Sequence, residues 1–417
     1  MAAFDSELLP VSDRPLASWL VQSGLDGLPV EQLIDGFCTR LNDAGVRIGR
    51  AFVGTATLHP LVRAYGLTWT DGQKPVESQA MPHREPGEEP QNWLESPFHY
   101  MLNNDLDEMR RPLVGPQAKR DFPVLEEFAA AGYTDWVAFA HSFGWDLSNS
   151  VLEDRQAGIG MICSLASVHP GGFLPAEIDR LRRLVALLAL AIKSTVLAQL
   201  ARDITASYIG SDAASHVLSG EIRRGMAQKI DAIILWADLR GFTGVADRLA
   251  IEPLIETLNG YFDCLGPAIE TQGGQVLKFL GDGLLASFQL ASGQDPAPVC
   301  CAALKAAEDA LAAIKLLNAE RIRTGLPVLD LDIALHRGTV MYGNVGTGAR
   351  LDFTLIGPAV NEVSRLEHLC GVLDRNLLAS RSFAEAAGEA VMSRLVSLGL
   401  HNLRGVAEPQ EVFGLSV

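Results

Sequence analysis

The stretch IILWADLRGFT, residues 233–243, predicts a buried β-strand that ends at Asp238 and a glycine turn. A second stretch, QVLKFLGDGLLASF at 275–288, predicts a β-hairpin with Asp282 in its GDG turn. Mg²⁺ prefers a few carboxylate oxygens together with water and substrate phosphates. Two carboxylates in glycine turns therefore predict a two-metal phosphate site, although an aspartate after a single strand is more often only a turn residue.

The segments around these stretches alternate between strand and helix patterns. A strand at 230–238, a helix at 252–272, the hairpin, a helix at 298–322 and strands at 329–346 give the order β-α-β-β-α-β, which predicts a ferredoxin-like α+β domain. A short strand at 353–357 and a helix at 358–369 follow. Asn361 and Arg365 are one helical turn apart, so they share a face of that helix.

The first half of the chain predicts a separate α+β domain. An amphipathic helix at 30–45 and strands at 48–58 and 62–70 precede a Pro/Glu-rich segment, 71–123, that favours a long irregular loop. Strands at 136–143 and 157–167 and a long helix from Pro175 follow. The apolar spacing of that helix fits either a two-helix seam or ordinary packing on its own domain. We therefore expect domains at 1–175 and 227–417, with a connecting helix and linker at 176–226.

Composition limits the classes of partner and compartment. The 417 residues carry a formal net charge of −16 with no basic run, which argues against nucleic acid and an anionic membrane surface as partners. The six cysteines show no paired spacing, as expected of reduced thiols. The N-terminus has no signal-peptide pattern, and the longest apolar run, LVALLALAI at 184–192, is half a membrane span. We expect a soluble cytoplasmic protein.

Four motifs in order, DLRGFT, KFLGDG, NEVSR and LRG, resemble the class III nucleotidyl cyclase catalytic domain, the adenylate and guanylate cyclase family, from about Lys229 to Leu415. Each motif alone is weak, but together they are specific. The resemblance implies metal ligation by Asp238 and Asp282, triphosphate contact by the backbone of Gly241, Phe242 and Thr243, ribose orientation by Asn361, transition-state stabilisation by Arg365 and phosphate binding by Arg404.

The resemblance also implies how the base is chosen. In adenylate cyclases a lysine stands four residues before the second metal aspartate, and an Asp or Thr stands seven before the asparagine; Lys278 and Thr354 match both positions. A lysine can donate to the ring nitrogen that is unprotonated in adenine. Guanylate cyclases place Glu at the lysine position. Thr354 resembles the threonine-type subclass, some members of which respond to bicarbonate.

The expected reaction is conversion of ATP to 3′,5′-cyclic AMP and pyrophosphate with two Mg²⁺ or Mn²⁺ per site. The family implies a head-to-tail homodimer that builds its sites at the interface, with metals from one chain and Lys278, Asn361 and Arg365 from the other. A guanylate cyclase, or an inactive cyclase fold that binds nucleotide or mediates dimerisation, remain the alternatives.

The first half resembles a GAF-like sensory domain through the segments LHPLVRAYGLTW, 58–69, and HPGGF, 169–173. This implies a regulatory role with an unknown small-molecule or protein regulator. A pure dimerisation module is the other reading.

Overall fold

The computed structural model describes residues 9–84, 88–145, 159–406 and 408–416. The first eight residues, on which part of the signal-peptide prediction rests, lie outside the described residues. The chain divides into two compact units, Met1–Ser207 and Tyr208–Val417. Both units combine helices with sheet, which confirms the α+β class.

The first unit is built on a six-stranded sheet of order β3-β2-β1-β6-β5-β4. Its elements are α1 (Arg14–Leu25), α2 (Val30–Asp43), β1 (Ile48–Ala56), β2 (Val62–Thr70), β3 (Glu77–Pro82), α3 (Gln91–Leu94), α4 (Pro97–Asn103), β4 (Glu108–Pro112), α5 (Pro123–Ala130), β5 (Asp135–Trp145), β6 (Ile159–Ser167) and α6 (Pro175–Ile209).

The prediction of one long irregular loop at 71–123 is wrong. Two strands and two helices, β3, α3, α4 and β4, lie within it. β3 is an edge strand whose side chains are mostly exposed, so it lacks the apolar alternation that would reveal it, and its pairing with β2 holds it in place. α4 begins after Ser96, whose hydroxyl accepts a hydrogen bond from the His99 backbone N–H at 3.0 Å.

The long helix α6 packs largely into the core of the first unit. Leu181, Leu184 and Ile192 are fully buried there with α1, α2 and the sheet. These positions therefore serve packing within the unit, which was one of the two readings of their spacing. The predicted connecting segment 176–226 is shared between the two units.

Among the described residues, α6 is also the helix long and apolar enough to cross a membrane by length and composition alone, with a mean hydropathy of 2.0 over 18 residues. The apolar run at 184–192 predicts a shorter apolar segment than the structure has, because the residues on both sides of the run continue the helix. Nearly half of that window, 44%, is buried inside the structure. The burial fits a core helix that covers a sheet.

The second unit is built on an eight-stranded sheet of order β13-β14-β12-β10-β7-β9-β8, with β11 paired to β10. Its elements are α7 (Ser211–Leu218), β7 (Ala227–Arg240), α8 (Phe242–Ala246), α9 (Ile251–Thr271), β8 (Gln275–Leu280), β9 (Gly283–Leu290), α10 (Pro296–Arg323), β10 (Asp330–Gly346), β11 (Leu351–Ile356), α11 (Pro358–Glu367), α12 (Leu369–Leu373), β12 (Leu377–Ser380), α13 (Arg381–Ala386), α14 (Gly388–Met392), β13 (Leu395–His401) and β14 (Gln410–Leu415).

Alternate residues of β7 face two different cores. Ile233 and Leu235 pack with α9 and α10 on one face of the sheet. Ile234 packs on the other face with Phe353 of β11 and Val363 of α11. A strand buried on both faces reads as a continuous apolar run, which explains the sequence IILWA. We call the surface that carries β11 and α11 the α11 face.

Candidate active site

The two predicted metal aspartates lie side by side. Asp238 is near the end of β7, and β9 pairs directly with β7, so the β8–β9 turn with Asp282 reaches the same place. Gly283 follows that aspartate, and a Cβ at its position would lie 3.2 Å from the Ala237 carbonyl oxygen and 3.7 Å from Asp238 Cγ. The close approach of the turn to β7 therefore favours glycine at this position.

The electrostatics of this pair suit a cation. The pKa of Asp238 is raised to about 6, first by burial and then by the neighbouring Asp282 carboxylate, while the Leu239 N–H that donates to Oδ1 at 2.9 Å opposes the shift. Two crowded carboxylates would gain from a divalent cation between them. Among the described residues, no group of three or more His, Cys, Asp or Glu side chains is arranged to hold a metal ion by itself.

A third buried acid that the sequence analysis missed is Glu367, the last residue of α11. Its side chain is almost fully buried, and its carboxylate lies 3.1 Å from Nδ1 of His368. The pKa of Glu367 is raised to about 7, first by burial and then by the nearby Asp238 charge. An acid two residues after the NEVSR motif carried no signal of burial, because only the docking of α11 on the sheet encloses it.

An ion pair fixes the strand that carries Asp238. Arg240 donates through Nε and Nη2 to the two oxygens of Asp332 at 2.9 and 2.6 Å. Asp332 is buried on β10, directly opposite Asp238 in the β7–β10 register. The arginine thus compensates one of two adjacent carboxylates and leaves the other available. This pair was also missed, because its members are 92 residues apart in sequence.

The predicted base-reading residues lie on the α11 face. The β8–β9 register contains a β-bulge between Val276 and Lys278, so Lys278 pairs with Leu285, which packs on that face. Phe279 consequently turns to the opposite face, where its ring lies 4.5 Å from that of Phe262 on α9. Bulges re-aim side chains in this way. Without the extra residue, Lys278 would point toward α9.

Lys278 forms an ion pair with Asp352 of β11. Thr354 is two residues further along the same strand, and Phe353 and Leu355 between and after them are buried. Strand alternation therefore places Asp352 and Thr354 on one face, beside Lys278. The sequence analysis did not identify Asp352, although this residue contacts Lys278 directly.

The residues predicted to act on ribose and phosphate lie on and beside α11. Asn361 is exposed and Arg365 half-buried, and their spacing puts them on one face of the helix. A Cβ on Gly405 would lie 3.5 Å from the Arg365 guanidinium, so the turn of the LRG motif reaches this arginine. Arg404 in that turn is exposed.

The glycine turn after β7 has the backbone that its sequence predicts. Gly241 has φ +84°, in the left-handed region that favours glycine, and α8 begins directly after it at Phe242. Thr243 is the second residue of this short helix.

The site residues thus form two groups in one chain. The first group is Asp238 and Asp282. The second group, which lies on β8, β11 and α11, is Lys278, Thr354, Asn361 and Arg365. Among the hydrogen bonds and ion pairs of the described ranges, none joins the aspartates to the second group. Each group presents only part of the chemistry that a nucleotide requires.

The sequence model of the adenylate and guanylate cyclase catalytic domain matches residues 226–381. This segment is a class III nucleotidyl cyclase domain. It contains every site residue discussed above except Arg404, which lies beyond the match.

Named relatives agree with the cyclase domain. The chain is 37% identical over 165 residues to an adenylate cyclase of Anabaena cylindrica, a match that covers 39% of this chain and 32% of that protein. It is 28% identical over 165 residues to the terminal-differentiation specific adenylate cyclase of Dictyostelium discoideum, covering 40% of this chain and 8% of the other. The crystal structure of the adenylyl cyclase CyaB from P. aeruginosa matches with 24% identity and a TM-score of 0.41, over 46% of this chain and 96% of that one.

The chain therefore spans about a third of the first of these relatives and less than a tenth of the second.

Proposed function

We propose that the protein is an adenylate cyclase that converts ATP to 3′,5′-cyclic AMP and pyrophosphate at a homodimer interface. The observation that carries this is the meeting of Asp238 and Asp282 at the end of β7, within a segment that matches the cyclase family. The family match covers both adenylate and guanylate cyclases, so the choice of ATP rests on Lys278 and Thr354. In the ferredoxin-like arrangement that we assign, Asp238 near the end of β7 and Asp282 in the β8–β9 turn lie at the same end of the sheet.

The pair Asp238 and Asp282 would hold two Mg²⁺ or Mn²⁺. When bound, these ions supply positive charge to the triphosphate and to the attacking 3′-hydroxyl. The left-handed Gly241 lets the chain turn at the end of β7, and we assign the backbone of Phe242 and Thr243 to the triphosphate. No protein side chain is assigned as general base.

The second group supplies the remaining roles. We assign Lys278 and Thr354 to the adenine edge, Asn361 to the ribose, and Arg365 to the charge that develops on the transferred phosphoryl group. A planar guanidinium suits that charge. Arg404 would bind the phosphates from the turn that borders Arg365.

The two groups would meet across a two-fold axis. In a head-to-tail dimer, the aspartates of one chain face Lys278, Asn361 and Arg365 of its partner, and closed symmetry produces two equivalent sites. This arrangement would explain why none of the described hydrogen bonds and ion pairs joins the two groups within one chain. The six free cysteines and the packing of α6 support our placement of the protein in the cytoplasm.

The direct test is incubation of the purified chain with ATP or GTP and Mg²⁺ or Mn²⁺, followed by quantification of cyclic nucleotides. We expect cyclic AMP from ATP. Formation of cyclic GMP from GTP in excess of cyclic AMP would assign a guanylate cyclase, and nucleotide binding without turnover would identify an inactive module.

Sharing of the site has its own test. Asp282→Ala and Arg365→Ala should each be inactive, because each removes one group from both sites. Mixed together, they should regain up to about a quarter of the wild-type sites, since only heterodimers contain one intact site. Absence of recovery, with heterodimers confirmed by differential tags, would refute the shared site.

We assign the first unit as a GAF-like regulatory domain that binds a small molecule. A cavity of about 620 Å³ lies between its sheet and α3 and α4, with Phe52, Trp93, Phe98 and His141 in its wall. This volume is within the range of small-molecule sites. Nε2 of His141 is buried without a hydrogen-bond partner among the described residues, and burial lowers the pKa of this histidine. Aromatic rings, a neutral imidazole and charged side chains such as Arg84 and Asp107 in the same wall suit a flat ligand that carries both apolar and polar groups.

The cavity can be tested with 8-anilinonaphthalene-1-sulfonate, a fluorescent apolar probe. We expect saturable binding of one probe per chain that Ala140→Trp abolishes, because Ala140 lines the cavity. Ala44→Trp, outside the cavity wall, is the control. Equal binding by the wild type and Ala140→Trp, with unchanged melting temperatures, would contradict the assignment.

A further inference from the structure

The ion pair between Lys278 and Asp352 lies where a ligand can reach it. Their side chains are 40% and 46% exposed, so the pair is open to solvent and is not part of the core. An isolated exposed ion pair contributes little to stability, typically below about 1 kcal/mol. A role in stabilising the fold therefore does not account for it.

The pair does determine where the lysine amine is held. A lysine has four rotatable side-chain bonds and loses about 2 kcal/mol of rotamer entropy when it is fixed. Asp352 comes from β11, which is not hydrogen-bonded to β8 in the sheet. The carboxylate therefore draws the Lys278 ammonium away from its own strand and across to β11.

The ion pair holds the Lys278 amine at a defined position on β11. Alternate residues of a strand lie about 7 Å apart on one face. Asp352 and Thr354 are such a pair, and both are partly exposed while Phe353 between them is buried. An amine held at Asp352 is thus within one side-chain length of the Thr354 hydroxyl.

We propose that Asp352 is a positioning residue for substrate selection: it holds Lys278 beside Thr354, so that both side chains address the same purine edge. The inference rests on the proposed function, since it concerns the base side of that site. Preorganisation of a flexible donor strengthens the interaction with the preferred base more than with the other, because only the preferred base offers an acceptor at the fixed position.

The test measures nucleotide affinity without requiring turnover. Displacement of a methylanthraniloyl-ATP probe by ATP and by GTP is followed on the full chain with Ca²⁺ in place of Mg²⁺. Asp352→Ala should weaken ATP binding about five- to tenfold and GTP binding less than twofold. Asp352→Glu, which keeps the charge, should recover part of the loss.

A double substitution separates positioning from a structural role. In a Lys278→Ala background, Asp352→Ala should change ATP affinity less than twofold, because the residue through which it acts is gone. Asp309→Ala is the matched control, since Asp309 forms a comparably exposed pair with Lys305 on α10. It should leave both affinities unchanged.

Three results would overturn the inference. The first is an equal loss of affinity for ATP and GTP in Asp352→Ala. The second is a loss of ATP affinity in Asp352→Ala that adds in full to the loss in Lys278→Ala. The third is tighter ATP binding in Asp352→Ala, which would mean that the carboxylate competes with the base for the amine. If the wild type selects ATP through Asp352 but forms no cyclic AMP, the proposed catalytic function fails and this inference stands. If the wild type binds neither nucleotide, both fail.

Discussion

The Arg240–Asp332 ion pair predicts a large loss of stability when the arginine alone is removed. Asp332 is 5% exposed and Arg240 29% exposed, and two hydrogen bonds of 2.6 and 2.9 Å join them. Arg240→Met keeps an apolar stem of similar length but leaves the carboxylate without a cation. The remaining contact to a charged oxygen is a weak one, from the Asn376 amide at 3.5 Å.

The expected cost is about 3 kcal/mol. Breaking a buried ion pair at one partner costs roughly 3–5 kcal/mol, and the partial exposure of Arg240 lets water reach the site, which favours the lower end. In Arg240→Met/Asp332→Leu the unpaired charge is gone as well. We therefore expect the double variant to recover at least about half of the loss.

The matched control is Arg323→Met. Arg323 pairs with Glu320 on the surface of α10, where the two side chains are 73% and 54% exposed. Its loss should cost less than about 0.5 kcal/mol.

The free energy of opening would be measured by amide hydrogen exchange of β7 and β10 peptides in increasing urea, which reports the second unit separately from the first. A cost for Arg240→Met below about 1 kcal/mol, or equal to that of Arg323→Met, would refute the reasoning. A double variant less stable than Arg240→Met would also refute it.

Three further predictions concern the second unit. Burial lowers the pKa of His336 to about 4. The neutral ring therefore contributes its full stability above pH 6.5, and this contribution, at most about 3 kcal/mol, is lost as the pH falls from 6.5 through 4. His336→Gln should make the melting temperature depend less on pH across that window. Gly283→Val should lower cyclic nucleotide formation at least about tenfold in product assays, because its Cβ would lie 3.2 Å from the Ala237 carbonyl oxygen and would shift the turn that carries Asp282. Tyr342→Phe should destabilise the unit by about 1.5 kcal/mol in thermal unfolding, because the phenol donates to Asp212 at 2.7 Å.

A His336→Gln profile as steep as that of the wild type would contradict the first of these predictions, and the other two have matched controls in the same unit. Gly348→Val meets no atom within 4 Å and should retain turnover. Tyr208→Phe removes a phenol that is 85% exposed and should be neutral. A control that behaves like its partner would contradict the corresponding prediction.

Local patterns predicted much of the second unit. The apolar run before Asp238 became β7, the GDG hairpin became β8 and β9, and the proline-initiated helix with Asn361 and Arg365 became α11. These features depend on neighbouring residues: strand alternation, glycine in tight turns and proline in the first turn of a helix. In the first unit the same approach failed at 71–123, because an exposed edge strand is held by its partner β2 and has no apolar alternation of its own.

The sequence by itself determined the order of the main strands and helices from β7 to α11, the family of the catalytic segment and the aspartates that approach each other. Only the tertiary structure decided which other side chains the site residues contact. The bulge before Lys278 turns the amine to the α11 face, Asp352 meets it from 74 residues away, and burial of Glu367 follows from the docking of α11. The reason is physical: turns and alternation are set within a few residues, whereas burial and ion pairing depend on segments that come together only when the sheet and its helices have packed.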